Sequence, residues 1–422
     1  MSHLDPTALF LELDLASAMG LFWYVIVIDL PRYTLGFCAV AASRLFREGS
    51  GKSGPSIGPL VTVVLAGHNE RGTIRRCVQS LRQQTHDRLE IICVDDGSID
   101  GMRLELRQMR QERLIDVALS TSLRSGKSSA GNLGISCAHG EIIVMADCDC
   151  TFDRDAIRQL IAPFDDPAVG AVCGNVGVRN DRATLLSAMQ GMEYLLTISM
   201  GKRLLDLFDQ VACASGAFSA FRRRALAEVA GHDVGPGEDL DLTLRLRRSG
   251  WKVRFADKAW CLTDVPETLG GFVRQRLRWE RDSLRLRMRK HRRGIYRRDG
   301  WEGGHELLHH VEFVLFHLVA TFAFFAYLIW LGYTFGAAAL TVLVLAAMVY
   351  VLLDLIAVGC VLVVVDRAEV SRLLPYVFLY GSFHAYLIRA VRLIAYIQEW
   401  VFVSSRRDDY VPTRVANRTP FY

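Results

Sequence analysis

The chain has 422 residues, of which 51% are hydrophobic, and carries 50 Lys and Arg against 45 Asp and Glu. That is longer than one average soluble domain and too apolar for a wholly soluble protein. Ten cysteines without a CxxC pair exclude a disulfide scaffold and fit a reducing compartment, and the modest net charge of +5 gives no reason to expect a nucleic-acid partner.

In chain order, residues 1–47 are expected to hold a transmembrane helix. The run "MGLFWYVIVIDLPRYTLGFCAVAAS" (19–43) is long enough despite Asp29, Pro31 and Arg32 at its middle, and no charged segment precedes it as in a signal peptide. "EGSGKSGPSIGP" reads as a linker over residues 48–59. A soluble α/β domain follows over 60–265. Its apolar runs "LVTVVLA" (60–66), "LEIICVD" (89–95), "LIDVALS" (114–120), "EIIVMAD" (141–147) and "AVGAVCG" (168–174) have strand length, with helical patterns between them at 71–84 and 153–162. This alternation predicts a mostly parallel, Rossmann-like sheet covered on both faces.

Residues 266–300 form a basic stretch expected to lie as helices at a membrane interface. Between Arg274 and Arg298 there are twelve Lys and Arg against Glu280 and Asp282, an excess of +10 that leaves about −5 for the rest. A basic run before a membrane segment obeys the positive-inside rule and places the soluble domain in the cytoplasm. Residues 301–404 form a second membrane region, from the runs starting at Val311 and Ala337 and a last one holding Arg389 and Arg392. Asp29, Arg32, Asp354, His384, Arg389 and Arg392 are expensive in lipid and are expected to face protein or water. Residues 405–422 form a tail.

Ligands of parallel sheets gather beyond the carboxyl ends of the strands, and here those ends are acidic: "LAGHNE", "VDDGS" and "ADCDC". In "VMADCDCTFD" the thiolates of Cys148 and Cys150 suit a soft metal, whereas Asp147 and Asp149 suit magnesium or manganese beside a phosphate ligand. The other strand ends favour the second reading, with the two cysteines packed on the other side and Asp153 capping the next helix. "GEDLDLTLRLRRSGW" (237–251) opens an amphipathic helix with a carboxylate pair, which serves as a cap or as a general base. "VRQRLRWERD" (273–282) offers Gln275, Arg278 and Trp279: arginine fits phosphate oxygens, and an indole packs on a sugar face or sits at lipid headgroups. "HELLH" (305–309) matches a zinc-protease pattern but stands directly before a membrane span, and "GKSS" has Thr121 where a P-loop glycine belongs.

Taken in order, "HNE", "VDDGSIDG", "GKSSAGNLG", "DCD", "ASGAFSAFRRRAL", "GEDLDLT" and "VPETLGGFVRQRLRW", with the flanking spans, resemble a processive family 2 glycosyltransferase. That group includes the cellulose, chitin, hyaluronan and poly-N-acetylglucosamine synthases, and the likeness covers about residues 58–290. It implies a GT-A α/β domain embedded between transmembrane helices in the cell (inner) membrane. It implies polymerisation of a β-linked polysaccharide from UDP-glucose or UDP-N-acetylglucosamine onto a growing glycan, with Mg2+ or Mn2+ as cofactor. Glu70 and Asp96 would contact the uridine, with Lys127 at the nucleotide. Asp147 and Asp149 would hold the metal-bound diphosphate, and Asp239 would be the base. Gln275 and Arg278 would hold the diphosphate and Trp279 the acceptor sugar. Export would need a partner subunit or a second copy. A non-processive enzyme adding one sugar to a lipid-linked or short acceptor is the alternative, and a non-catalytic membrane scaffold a further one. Three residues depart from the family pattern: His68 stands for tyrosine, Asp264 for glutamate before "VP", and "RWERD" for the usual arginine–glycine ending.

Overall fold

The computed structural model describes residues 19–46, 58–233, 235–292, 300–407 and 412–416. Its centre is an eight-stranded sheet in the order β3-β2-β1-β4-β7-β6-β8-β5. β1 (Val61–Gly67), β2 (Leu89–Asp95), β3 (Val117–Ser120) and β4 (Ile142–Ala146) run parallel, and β1 lies between β2 and β4. Their β-branched and aliphatic runs suit central strands covered on both faces. In the helix Arg71–Arg82 the positions Ile74, Cys77, Val78 and Leu81 recur at helical spacing and close one face of the sheet. Ala130 from the helix Lys127–Cys137 and Leu242 and Leu246 from Glu238–Arg248 join the core on the other face.

The four short parallel strands match the sequence reading to within three residues. The fifth predicted strand, 168–174, is present as the first part of Val169–Val178, and the rest of the far half departs from the reading. β6 (Val169–Val178) pairs antiparallel with β7 (Phe218–Arg222) and parallel with the long β8 (Lys252–Thr263), while the two-residue β5 (Thr151–Phe152) borders β8. The second predicted helix is shorter than 153–162, covering Ala156–Ile161, and Asp153 does not cap it. The Asp153 carboxylate instead accepts from Arg367, because a guanidinium is a stronger partner than a backbone N–H.

Among the described residues, three helices are long and apolar enough to cross a membrane: Val25–Leu45, Leu307–Val364 and Ala368–Phe402. The second is interrupted at Gly336, whose φ of +55° favours glycine, so its two arms have the lengths of the two runs predicted there. Two of the opposite charges within these helices meet. Arg389 donates to Asp29 at 2.6 Å, and the Tyr350 hydroxyl donates to the other Asp29 oxygen at 2.6 Å. Asp354 and His384 line a small cavity beside them. The side chains of Arg32 and His305, and most of the linker 48–59, lie outside the described residues. The basic run is not simply a lipid-facing stripe: Arg276, Arg285 and Arg287 are buried in protein, and Arg289 and Lys290 pair with Glu399 and Asp241.

Candidate active site

Because β2, β1 and β4 are adjacent and parallel, their carboxyl ends bring "HNE", "DDGS" and "DCD" to one cleft. The first two loops are laced together. Asn69, at φ +61°, donates its N–H to Ser98 Oγ and accepts from Ile99 N–H with its amide oxygen. His68 Nδ1 lies 2.9 Å from the carbonyl oxygen of Asp96, and its Nε2 faces the Asn69 amide. A carbonyl only accepts, so Nδ1 carries the proton there. The histidine that departs from the family pattern thus pins the backbone of Asp96. Gly97, at φ +66°, lets Leu123 and Arg124 approach where a Cβ would clash. Both oxygens of Asp96 accept backbone N–H groups, from Ser125 at 2.6 Å and Gly126 at 2.7 Å, so this residue shapes the loop leading to Lys127.

Lys127 is the junction of the cleft. Its Nζ donates to Asp147 Oδ1 at 2.6 Å and lies 3.3 Å from Glu238 Oε1, joining the DCD segment to the start of the helix Glu238–Arg248. Asp149 is oriented by Thr263, whose hydroxyl donates to Oδ2 at 3.0 Å, and Arg179 donates to its carbonyl oxygen. Burial, and then the charge of Asp147, holds the Asp149 carboxyl above the ordinary range. Glu70 is raised for the same first reason, against a hydrogen bond from Thr73, with Asp149 and Asp147 adding to the rise. Burial also raises Glu238, opposed by Lys127. Cys148 and Cys150 are buried in the apolar core.

Asp239 is held from two sides. Gly216 N–H donates to Oδ2 at 3.0 Å and Leu240 N–H to Oδ1 at 2.7 Å. The Thr243 hydroxyl donates to the Asp239 carbonyl and accepts from Ala214 N–H, so the helix start is tied to the loop that supplies Gly216. His232 lines a small cavity with Lys127, Gly216, Glu238 and Asp239. Burial pushes its imidazole down to about 4, and it is therefore neutral at neutral pH.

Gln275, Arg278 and Trp279 share the helix Leu269–Arg285, whose far end reaches the segment that precedes Asp239. Gly237, at φ +73°, lies against Asp282 and Leu286, and Arg285 donates to the Pro236 carbonyl. The Gln275 amide oxygen is buried without a partner among the described residues, and Trp279 is 39% exposed. Sequence reasoning missed Thr263, Arg179, Gly216 and Asn132, whose amide clasps both backbone groups of His232 at 2.8 Å. No local pattern marks Thr263 and Arg179, whose partners are distant in the chain, whereas Gly216 and Asn132 lie within the segments "ASGAFSAFRRRAL" and "GKSSAGNLG".

The family model "Glycosyl transferase family 2" matches residues 62–230. The poly-β-1,6-N-acetyl-D-glucosamine synthase of Staphylococcus aureus strain MSSA476 is 33% identical over 221 residues, covering 52% of this chain and 53% of the relative. The Staphylococcus epidermidis enzyme of the same name is 31% identical over 224 residues, with the same coverage. The chain thus spans about half the length of the curated relatives it matches. Among solved structures, the mannosyltransferase PcManGT from Pyrobaculum calidifontis, in complex with GDP-Man and Mn2+, superposes with a TM-score of 0.59 at 18% identity. That match covers 90% of this chain and 99% of the other, and it establishes a shared fold. With its carboxylate-lined strand ends, the chain carries a family 2 glycosyltransferase domain over residues 62–230 on a GT-A fold, and it resembles the poly-N-acetylglucosamine synthases over about half their length.

Proposed function

We propose that the protein is a membrane-bound, inverting β-glycosyltransferase that polymerises a polysaccharide from a UDP-sugar. The observation that carries this reading is the meeting of Asp147, Lys127, Glu238 and Asp239 in one cleft. The staphylococcal likenesses favour UDP-N-acetylglucosamine over UDP-glucose as donor. The apolar helices on both sides of the domain support a multi-pass protein of the cell membrane, with the cleft on the cytoplasmic side.

Asp147 and Asp149 suit a magnesium or manganese ion. Two carboxylates completed by phosphate oxygens form a usual set for a hard cation, and a cation offsets the charge that burial and Asp147 make costly at Asp149. Once bound, the ion neutralises charge on the diphosphate leaving group. Lys127 adds a positive charge at the same place. Gln275 and Arg278 hold the diphosphate, Glu70 and Asp96 lie toward the nucleoside, and Trp279 supports the acceptor sugar. Asp239 takes the proton of the acceptor hydroxyl as its oxygen bonds to the anomeric carbon and the bond from that carbon to the diphosphate breaks. Attack opposite the leaving group converts an α-linked donor into a β-linked product.

Membranes containing the protein, supplied with a panel of radiolabelled UDP-sugars, test this. Polymer formed from UDP-N-acetylglucosamine and cleaved by a β-specific glycosidase is expected. Product limited to one added sugar would replace polymerisation with the single-transfer alternative, and no transfer from any UDP-sugar would contradict the donor assignment.

A further inference from the structure

Arg276 is the residue inside the QRLRW segment to which the site gives no role. It lies one helical turn before Trp279, so the two side chains share a face of the helix. Its guanidinium carbon is 4.4 Å from the Trp279 ring centroid, 5.2 Å from that of Phe272 and 5.8 Å from that of Tyr194. Nη2 donates to Glu193 Oε2 at 2.7 Å, and the paired side chains are only 7% and 10% exposed. Nε is buried without a hydrogen-bond partner among the described residues. A buried ion pair with an unmatched donor is a poor way to stabilise a helix compared with apolar packing. It is a good way to fix a planar cation against an indole.

Both ends of this arrangement are anchored in the membrane region. Glu193 ends the helix Leu185–Glu193, whose Ala188 and Met192 pack with Phe37, Val358 and Val361 of the apolar helices. Glu280, the residue after Trp279, accepts from Arg392 at 2.9 Å and from the Tyr396 hydroxyl at 3.2 Å. The glutamate that departs from the family ending is thus a second tie, on the opposite side of the indole in sequence.

We propose that Arg276, held by Glu193, is the positioning residue of the acceptor site: it backs the Trp279 ring and sets the plane on which the acceptor carbohydrate stacks. The proposal rests on the assignment of Trp279 to the acceptor. The class of ligand is a pyranose with an apolar face, the kind of surface that packs on an indole.

Kinetics on the full chain in lipid nanodiscs test it, with UDP-N-acetylglucosamine as donor and short β-linked N-acetylglucosamine oligomers as acceptor. Arg276→Gln and Glu193→Gln should each raise the acceptor KM about tenfold, with the donor KM changed less than about threefold. Arg276→Lys keeps the charge but loses the planar stack and should recover only part of the loss. Adding Arg276→Gln to Trp279→Ala should cost nothing further, because the platform is already gone. Equal losses in donor and acceptor KM, or additive losses in the double variant, would reduce Arg276 to a structural role and overturn the proposal. If Trp279→Ala itself leaves the acceptor KM unchanged, the acceptor assignment fails first. If Trp279→Ala raises it while Glu193→Gln and Arg276→Gln do not, only the present inference fails. Should Arg276→Gln not fold, Glu193→Gln and Arg276→Lys carry the same comparison, with UDP binding by calorimetry as the check on folding.

Discussion

At the scale of single residues, the cleft contains several carboxylates, and their surroundings separate their tasks. Asp96 is committed to backbone N–H groups, Asp147 to Lys127, and Asp239 to Gly216 and Leu240. Asp239→Asn keeps the side-chain shape and one of the two backbone N–H contacts but removes the proposed base, so transfer should fall by about 10²–10⁴-fold while UDP affinity measured by calorimetry stays nearly unchanged. Glu70, Asp149 and Glu238 are raised by burial. The stability they contribute without a cation is therefore present below the ordinary carboxylate pKa and is lost as pH rises through their folded values. A divalent ion needs these carboxyls deprotonated and compensates their charge. Mn2+ should raise the melting temperature more at about pH 7.5 than at about pH 5, and an equal rise at both would count against Asp149 as a ligand. Glu70, Asp96, Asp147 and Asp149 were legible in the sequence because strand ends mark them, and Glu238 and Asp239 because they open a helix. Lys127 was legible only through the family likeness, and Thr263 not at all, since it lies 114 residues from Asp149.

At the scale of elements, four parallel strands could be read from uninterrupted apolar runs, but β7 and β8 could not. "FSAFR" is short, and in "KVRFADKAWCLT" the charges do not alternate cleanly, because the pairing of β6 with β8 shifts register after Gly174. The helix Leu269–Arg285 was legible as a helix, yet its direction was not. The same basic residues that read as a membrane-surface face turn inward, where Glu193, Glu399 and Asp241 meet Arg276, Arg289 and Lys290. Glu280 and Arg392 join this helix to the last apolar helix. Arg392→Ala leaves Glu280 partly buried without its cation, a loss of about 3–5 kcal/mol if uncompensated. It should shorten the polymer or stop it while UDP affinity changes little, as measured by product sizing and calorimetry.

At the scale of the whole molecule, the apolar helices are bolted to the glycosyltransferase domain rather than tethered to it. Arg367 pairs with Asp153 and stacks over Trp260, and the helix Leu185–Glu193 packs into the same cluster as Val40 and Val364. Within the helices, Arg389, Asp29 and Tyr350 join three separate segments. Asp29→Asn should lower the melting temperature in detergent by several degrees, and pairing it with Arg389→Met should restore much of the loss, because the double variant no longer buries an unmatched charge. The membrane runs were plain in the sequence as hydrophobicity. Their partners were not, because the Asp29–Arg389 contact joins positions 360 residues apart. The most direct test of the central claim compares purified wild type and Asp239→Asn in nanodiscs with UDP-N-acetylglucosamine, following UDP release and polymer together. The account predicts that wild type releases UDP in step with β-linked polymer and that Asp239→Asn does neither while still binding UDP; undiminished polymer from Asp239→Asn would contradict it.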